Sequence, residues 1–160
     1  MSTIAAIRES ISTAAFIYNG YLQDLTDEEL MHRPCPGANH IKWQLGHLIV
    51  SENRMMEQVR TGSMPLLPEG FVQRYAKETA GSDAPGDFDS KSDLLQLHAT
   101  QREATLKLLE QMTDEDFARE TGIDYAPTVQ SLFVMQSVHW TMHAGQWAVI
   151  RRQLGREPLF

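Results

Sequence analysis

Two histidines four residues apart, His139 and His143, are the first residues whose type and spacing point to chemistry. On a helix this spacing places both side chains on one face, about 5–6 Å apart at Cβ. The same face carries Leu132, Gln136 and Ile150, which predicts that the imidazoles point into the protein. A buried neutral imidazole needs a partner for each ring nitrogen, and a metal on one nitrogen with an acceptor behind the other meets that need. The alternative is a pair of core or surface histidines without metal, since this spacing also occurs by chance.

A third histidine, His47, follows a glycine near the middle of another predicted helix. Gly46 costs up to about 1 kcal/mol relative to alanine in a helix interior, so a compensating gain is expected. Gly145 stands two positions after His143. Small residues let helices approach closely, and we therefore expect His47, His139 and His143 to converge, although packing alone would also explain each glycine. Three nitrogen ligands with open coordination positions are typical of a catalytic rather than a structural metal site.

Two glutamines lie one helical turn from these candidate ligands. Gln44 precedes His47 by three residues, and Gln146 follows His143 by three. Either amide is placed to hydrogen-bond a ligand from behind, and the alternative is an ordinary amide at the edge of the core. Glu52 follows His47 by five positions, about 140° around the helix, so we assign no general base.

The remaining histidines and the cysteine are weaker candidates. His40 lies about 10 Å from His47 along the helix, too far to share one ion, and is expected to start the helix. His98 is expected at the polar flank of the third helix, with a role as fourth ligand as the alternative. His32 is expected in a solvated loop. Cys35 lies between two prolines, where it would be accessible, and is either inert or a nucleophile.

Helical spacing of apolar residues dominates the chain, and no run alternates with period two long enough to indicate a strand. The sequence therefore predicts an all-α protein, with short capped turns at Thr26 and Thr113. Four long helices are expected: Ser2 to Asp24; His40 to Arg60, capped by Asn39; Ser90 or Ser92 to Met112; and, after Pro127 with Thr128 as its cap, a last helix to Leu154 that stops at Gly155.

Helices of this length span roughly 30 to 40 Å, which is the size of a four-helix bundle. The connection from Ser63 to Asp89 is long enough to return along a whole helix, so the second and third helices are expected to run parallel. No internal repeat is present, and residues 1–160 are expected to form a single domain.

Composition limits the classes of function. The 160 residues carry 14 Lys and Arg against 21 Asp and Glu, a net charge of −7. This balance argues against a nucleic-acid partner, whose phosphates need a basic stripe. The single cysteine excludes an internal disulfide and a cysteine-built metal site. With no stretch near 20 apolar residues and no signal-peptide pattern, we expect no membrane partner and a cytoplasmic location.

The last helix is apolar almost all the way round, which is typical of a helix buried on all sides. This pattern predicts either a central position in the bundle or a homodimer through the first and last helices. The alternative is that the aromatic residues only fill the core. The residues concerned are Phe133, Trp140, Trp147 and Leu154 on one line and Val134, Val138, Met142 and Val149 on another.

Trp43-x-x-Gly46-His47 on the second helix and His139-x-x-x-His143-x-Gly145-Gln146 on the last, in a chain of this size with a long crossover, resemble the DinB-like family of metal-binding four-helix bundles. The resemblance implies an up-down-down-up bundle and a divalent metal held by the three matching histidines. It does not imply binding to DNA.

The resemblance also implies a reaction class, since several relatives transfer or isomerise small-molecule substrates through a low-molecular-weight thiol. We expect a metal-dependent thiol transferase, with a metal-dependent hydrolase or a non-catalytic, metal-stabilised binding module as alternatives. In either enzyme the metal would lower the pKa of a thiol or a water. Imidazole suits Zn, Ni and Fe alike, so the sequence leaves the metal open.

Overall fold

The computed structural model describes residues 2–159. In that part of the chain, four long α-helices are joined by shorter elements, and the elements are α1 (Thr3–Leu22), α2 (Ile41–Val59), α3 (Phe71–Arg74), α4 (Lys91–Glu110), α5 (Asp114–Ala118), β1 (Glu120–Ile123), β2 (Ala126–Thr128) and α6 (Val129–Gln153). Single 3-10 turns lie at Glu29–Met31, Lys77–Thr79 and Pro85–Asp87. The four helices expected from the sequence are α1, α2, α4 and α6, which confirms the all-α class.

The helix starts follow the capping residues. Ser2, Ser90 and Thr128 each accept a hydrogen bond from a backbone N–H in the first turn of the following helix. At α2 the predicted cap was wrong: His40, not Asn39, caps the helix, and its Nδ1 accepts from the N–H of Trp43 at 3.0 Å. The imidazole replaces the usual hydroxyl or carboxylate acceptor.

Two pairs of long helices run parallel. Asn53 of α2 donates to Gln101 of α4 at 3.0 Å, and Arg60, just after α2, donates to Gln111, just after α4. Residues therefore pair in ascending order, which confirms that the second and third long helices run parallel. In the same way Ser10 of α1 meets Ser137 of α6 at 2.7 Å, and Arg151 of α6 donates to the carbonyl of Tyr21.

The other neighbouring pairs run antiparallel. In α1 and α4, Lys91 at the start of α4 donates to the carbonyl of Leu22 at the end of α1. In α2 and α6, Gln44 accepts from Trp147 near one end, while Ser51 lies beside His139 one layer further along. The order of directions is thus up, down, down, up, as the resemblance implied.

The connection between α2 and α4 packs across α2 and contributes to the core. Tyr75, which follows α3, is 2% exposed, and its ring lies directly over Gly46. Its hydroxyl donates to Asp89 at 3.0 Å, and Arg74 pairs with the same carboxylate at 2.6 Å. The packed Tyr75 ring therefore holds the crossover against α2, while the bonds to Asp89 join two parts of the crossover to each other.

A short antiparallel hairpin precedes α6 and was not expected. Strands β1 and β2 pair Glu120 with Thr128 and Ile123 with Ala126. Each strand has three or four residues, too few for a period-two pattern to be visible in the sequence. The hairpin brings Ile123 and Tyr125 beside α2.

The last helix is less completely buried than predicted. Phe133, Trp140 and Trp147 are at most 1% exposed. They fill the core of the bundle, which agrees with the alternative that the aromatic residues of this helix only fill the core. The second apolar line is not buried, because Val134, Val138, Met142 and Val149 are 37 to 57% exposed. No helix within residues 2–159 has the length and apolar character needed to cross a membrane.

Candidate metal centre

Three imidazoles from two helices meet in one place. The antiparallel pairing of α2 with α6 brings His47 to His139 and His143, and one ring nitrogen of each lies within 4.8 Å of the others. His139 and His143 lie on successive turns of α6, and their Nε2 atoms are 3.2 Å apart. His98, the alternative fourth ligand, is not part of this group.

Gln44 determines which nitrogen of His143 faces the centre. Its side-chain NH2 donates to the carbonyl of Asn39 at 2.6 Å and to Gln146 Oε1 at 3.2 Å, which leaves its oxygen as the acceptor. That oxygen lies 2.8 Å from His143 Nδ1 and also accepts from the Trp147 indole at 2.8 Å. Nδ1 of His143 therefore carries the proton, and its Nε2 presents a lone pair to the other imidazoles.

His139 and His47 are positioned by α2. Ser51 Oγ lies 3.4 Å from Nδ1 of His139 on the side away from the other histidines. The His47 ring stacks on Trp43, one turn earlier, with a centroid distance of 5.0 Å and an interplanar angle of 10°. The Trp43 indole donates to Ala76 and Thr79 of the crossover at 3.2 Å, so the crossover fixes the ring that supports His47.

The two glycines beside the histidines have different environments. An ideal Cβ on Gly46 would lie 2.1 Å from the Tyr75 ring, so Gly46 makes room for the crossover and not for a neighbouring long helix. A Cβ on Gly145 would meet nothing within 4 Å. The expectation that Gly145 allows a close helix approach is therefore wrong, because this position faces open space.

Burial keeps the three imidazoles neutral. Desolvation is the main cause in each case and lowers the pKa of His139 to about 4 and that of His143 to about 3, with a smaller effect of neighbouring histidines. The pKa of His47 is also lowered, first by burial and then by the positive charge of Arg54. Neutral imidazole is the form that ligates metals, so no proton has to be displaced from these rings at pH 7.

The donor set fits a divalent metal ion. Two nitrogens bound tetrahedrally at 2.0–2.1 Å from zinc would be about 3.3 Å apart, and Nε2 of His139 and Nε2 of His143 are 3.2 Å apart. Gln44 behind His143 is the kind of acceptor that orients a metal-bound imidazole. Three nitrogen donors leave coordination positions for water or substrate.

A cavity of about 750 Å³ opens beside His47. Residues of α2, the crossover and the hairpin form its walls, among them Asn39, Trp43, Val50, Ser51, Arg54, Val72, Lys77, Ile123 and Tyr125. Apart from those on α2, these residues could not be assigned to the site from the sequence, because they come from segments without a recognisable pattern. Arg54 was not singled out from the sequence, and its spacing, seven residues after His47, is the signal that could have placed it on the same helix face.

The other singled-out residues lie elsewhere. His98 is buried, not at a polar flank, with Nε2 2.8 Å from the Tyr18 hydroxyl. Glu52 is 1% exposed and pairs with Arg102 at 2.9 Å in the core, so it faces away from the three histidines. His40 caps α2, and burial lowers its pKa to about 4.

The two remaining candidates lie in the connection before α2. His32 hydrogen-bonds Gln153 at 3.0 Å rather than standing free in solvent. Cys35 is an exposed thiol.

Comparison with known proteins identifies the family. The sequence profile of the DinB superfamily matches residues 17–147, which include His47, His139 and His143. The chain belongs to the DinB superfamily. No curated protein sequence matches this DinB-superfamily chain.

Two solved structures share the fold. One is a conserved protein from Enterococcus faecalis, with 17% identity, a TM-score of 0.67, and coverage of 98% of this chain and 99% of that one. The other is YfiT from Bacillus subtilis, described as a probable metal-dependent hydrolase with an unusual four-helix bundle topology. YfiT is 15% identical, with a TM-score of 0.64, and the match covers 96% of this chain and 89% of YfiT. At these identities the likeness establishes the bundle fold of this DinB-superfamily member.

Proposed function

We propose that this DinB-superfamily protein is a metal-dependent hydrolase that binds one divalent ion through His47, His139 and His143. One observation carries the proposal: three neutral imidazoles converge beside a cavity of about 750 Å³. A closed structural site would use its positions for protein ligands, whereas only three candidate ligands meet here among the described residues.

The chain's own residues would hold and orient the centre. Gln44 keeps Nε2 of His143 unprotonated, and Trp43 supports the His47 ring from the crossover side. A divalent ion bound there supplies Lewis acidity, which lowers the pKa of a water and polarises a substrate carbonyl. Tyr125 and Val72 both line the cavity and would limit the access of bulk water to the substrate.

Hydrolysis and thiol transfer would use the same three histidines. The description of Bacillus subtilis YfiT as a probable metal-dependent hydrolase, for a protein of this fold, supports hydrolysis. Transfer through a low-molecular-weight thiol is the second candidate, because a metal ion also favours the thiolate form that acts as a nucleophile. Zinc, nickel and iron are each suited to three imidazoles.

The first test is metal content by elemental analysis of untagged protein. We expect about one ion per chain in the wild type and its loss in His143→Ala, since three-ligand sites bind weakly once a ligand is removed. His32→Ala is the matched control, because it removes a histidine outside the site. Absence of metal from protein prepared without chelator, and no uptake of supplied zinc or nickel, would contradict the proposal.

The second test separates the reactions. Metal-loaded protein is assayed with a panel of aryl esters, with and without added glutathione, bacillithiol or mycothiol. Turnover without thiol that is lost in His143→Ala supports a hydrolase. Turnover that requires a thiol and yields the thiol adduct supports the transferase. Metal binding without either reaction identifies a metal-stabilised binding module and refutes the enzyme.

We also propose that two copies of the chain associate through α1 and α6. Val134, Val138 and Met142 form an exposed apolar row on α6, beside a groove in which Glu9 is the only charged wall residue among those described. A two-fold contact can therefore bring two such faces together with Glu9 as the one charged wall residue that each described groove contributes. We expect a dimer by sedimentation at micromolar concentration and a monomer for Val138→Glu, and a monomeric wild type would contradict this.

A further inference from the structure

Arg54 lies on the same face of α2 as His47 and forms part of the cavity wall. It follows His47 by seven residues, two helical turns, and both side chains border the same cavity. Its charge reaches His47, where it contributes to the electrostatic environment of the imidazole. Within residues 2–159 the guanidinium has neither an ion pair nor a hydrogen bond, unlike Arg33, Arg102 and Arg151, which all have carboxylate partners.

The cavity differs in charge from the rest of the chain. The protein carries a net charge of −7, yet the cavity walls hold two cations, Arg54 and Lys77, and one carboxylate, Glu78. None of these three side chains has an ion-pair partner in the described part of the chain. With the imidazoles neutral, the side chains of the walls carry one net positive charge. A divalent ion at the three histidines would add to it, so the cavity favours an anionic ligand.

Most of the remaining wall residues are apolar or aromatic, and Asn39, Ser51 and Gln58 are the uncharged polar ones. Trp43 and Val50 come from α2, Val72 from the crossover, and Ile123 and Tyr125 from the hairpin. Such walls bury the hydrocarbon part of a small molecule, while a small number of polar groups determine its orientation. A site of this kind favours an amphipathic ligand over a highly polar one.

We propose that Arg54 determines substrate specificity by binding the carboxylate of a small amphipathic monoanion, whose apolar part lies against Trp43, Val72 and Tyr125. This inference rests on the proposed function only in taking this cavity as the substrate site. A guanidinium presents two parallel N–H donors that match the two oxygens of a carboxylate. The apolar walls disfavour a phosphate dianion, because its two charges cost more to desolvate than the single charge of a carboxylate. Lys77 adds attraction at longer range.

Binding is measured by NMR on 15N-labelled, zinc-loaded protein. The indole N–H of Trp43 reports on the cavity, and the buried indole of Trp140 is the internal reference. The probes are 4-phenylbutanoate, its neutral amide 4-phenylbutanamide, and phenyl phosphate. The variants are Arg54→Gln, Arg54→Lys and, as a control with the same change in charge, Arg60→Gln, which lies outside the cavity.

We expect the wild type to bind 4-phenylbutanoate more tightly than the amide or phenyl phosphate. Arg54→Gln is expected to weaken 4-phenylbutanoate binding by roughly fivefold or more without changing amide binding, since charged hydrogen bonds exceed neutral ones. Arg54→Lys is expected to be intermediate, and Arg60→Gln to match the wild type. Equal affinities for acid and amide, tighter binding of phenyl phosphate, no Trp43 response to any probe, or no effect of Arg54→Gln would each overturn the proposal.

The same titration in His143→Ala separates this proposal from the proposed function. If Arg54 binds the carboxylate, 4-phenylbutanoate binding survives in the variant. If the carboxylate instead coordinates the metal, binding is lost in His143→Ala and unchanged in Arg54→Gln, which overturns the role of Arg54 while supporting the metal site. Carboxylate binding that depends on Arg54, in a protein that hydrolyses no ester, refutes the hydrolase and leaves the Arg54 assignment intact.

Discussion

Two glycines that stand beside candidate ligands allow a direct test of how the crossover is held. Gly46 and Gly145 both lie in the interior of long helices, so replacement by alanine gives the same gain in helix propensity, up to about 1 kcal/mol. Only the tertiary environments differ. An alanine Cβ at position 46 would lie 2.1 to 2.3 Å from three ring carbons of Tyr75, whereas one at position 145 would meet nothing within 4 Å.

The expected magnitudes follow from this contrast. Carbon atoms in contact normally stand about 3.5–4.0 Å apart, so the Tyr75 ring must move by more than 1 Å. The ring is 2% exposed and its hydroxyl is fixed by Asp89, so it has little room. Overpacking costs about 1–3 kcal/mol, and after a propensity gain of about 1 kcal/mol Gly46→Ala should lower the free energy of unfolding by up to about 2 kcal/mol. Gly145→Ala should raise it by up to about 1 kcal/mol.

Urea denaturation of metal-free protein, followed by circular dichroism, measures both values. The double variant Gly46→Ala, Tyr75→Ala isolates the contact, because the extra methyl group should cost nothing once the ring is absent. Equal stabilities of Gly46→Ala and Gly145→Ala would refute the packing argument. So would a cost of Gly46→Ala that persists in the Tyr75→Ala background.

Three further predictions concern the buried polar groups. Gln44→Leu should weaken zinc binding about 10–100-fold in a chelator competition, since it leaves His143 without its acceptor. Glu52→Gln should cost about 3–5 kcal/mol in urea denaturation because it leaves Arg102 buried and unpaired, and adding Arg102→Met should recover much of that loss. Burial lowers the pKa of His143 to about 3 in the folded chain, below its value of about 6.5 in the unfolded chain. In metal-free protein the neutral imidazole therefore contributes stability that is fully present above about pH 6.5. This contribution is lost as the pH falls toward 3. His143→Gln should therefore show a shallower fall in stability with acid, and an unchanged slope would contradict the burial of this imidazole.

Local features of the fold were predictable because they depend on residues close in sequence. Ser90 and Thr128 cap α4 and α6, and Gly155 follows α6 with a φ of 74°, which favours glycine. The spacing of His139 and His143 places both on one face of α6, since a helix turn has 3.6 residues. The hairpin escaped prediction because its pairing, Glu120 with Thr128, is made by strands too short to show a pattern.

The amino-acid sequence by itself determined the long helices, the caps of α4 and α6, and the helical face that carries each candidate ligand, because backbone hydrogen bonds and side-chain periodicity act over a few residues. It also indicated that His47 belongs with His139 and His143. Only the tertiary structure decided that Gly46 makes room for the Tyr75 ring and that a Cβ at Gly145 would meet no atom within 4 Å. It also decided that Arg54 lines a cavity whose other walls come from the crossover and the hairpin. Those relations join residues far apart in the chain, and packing rather than local conformational preference determines which of them meet.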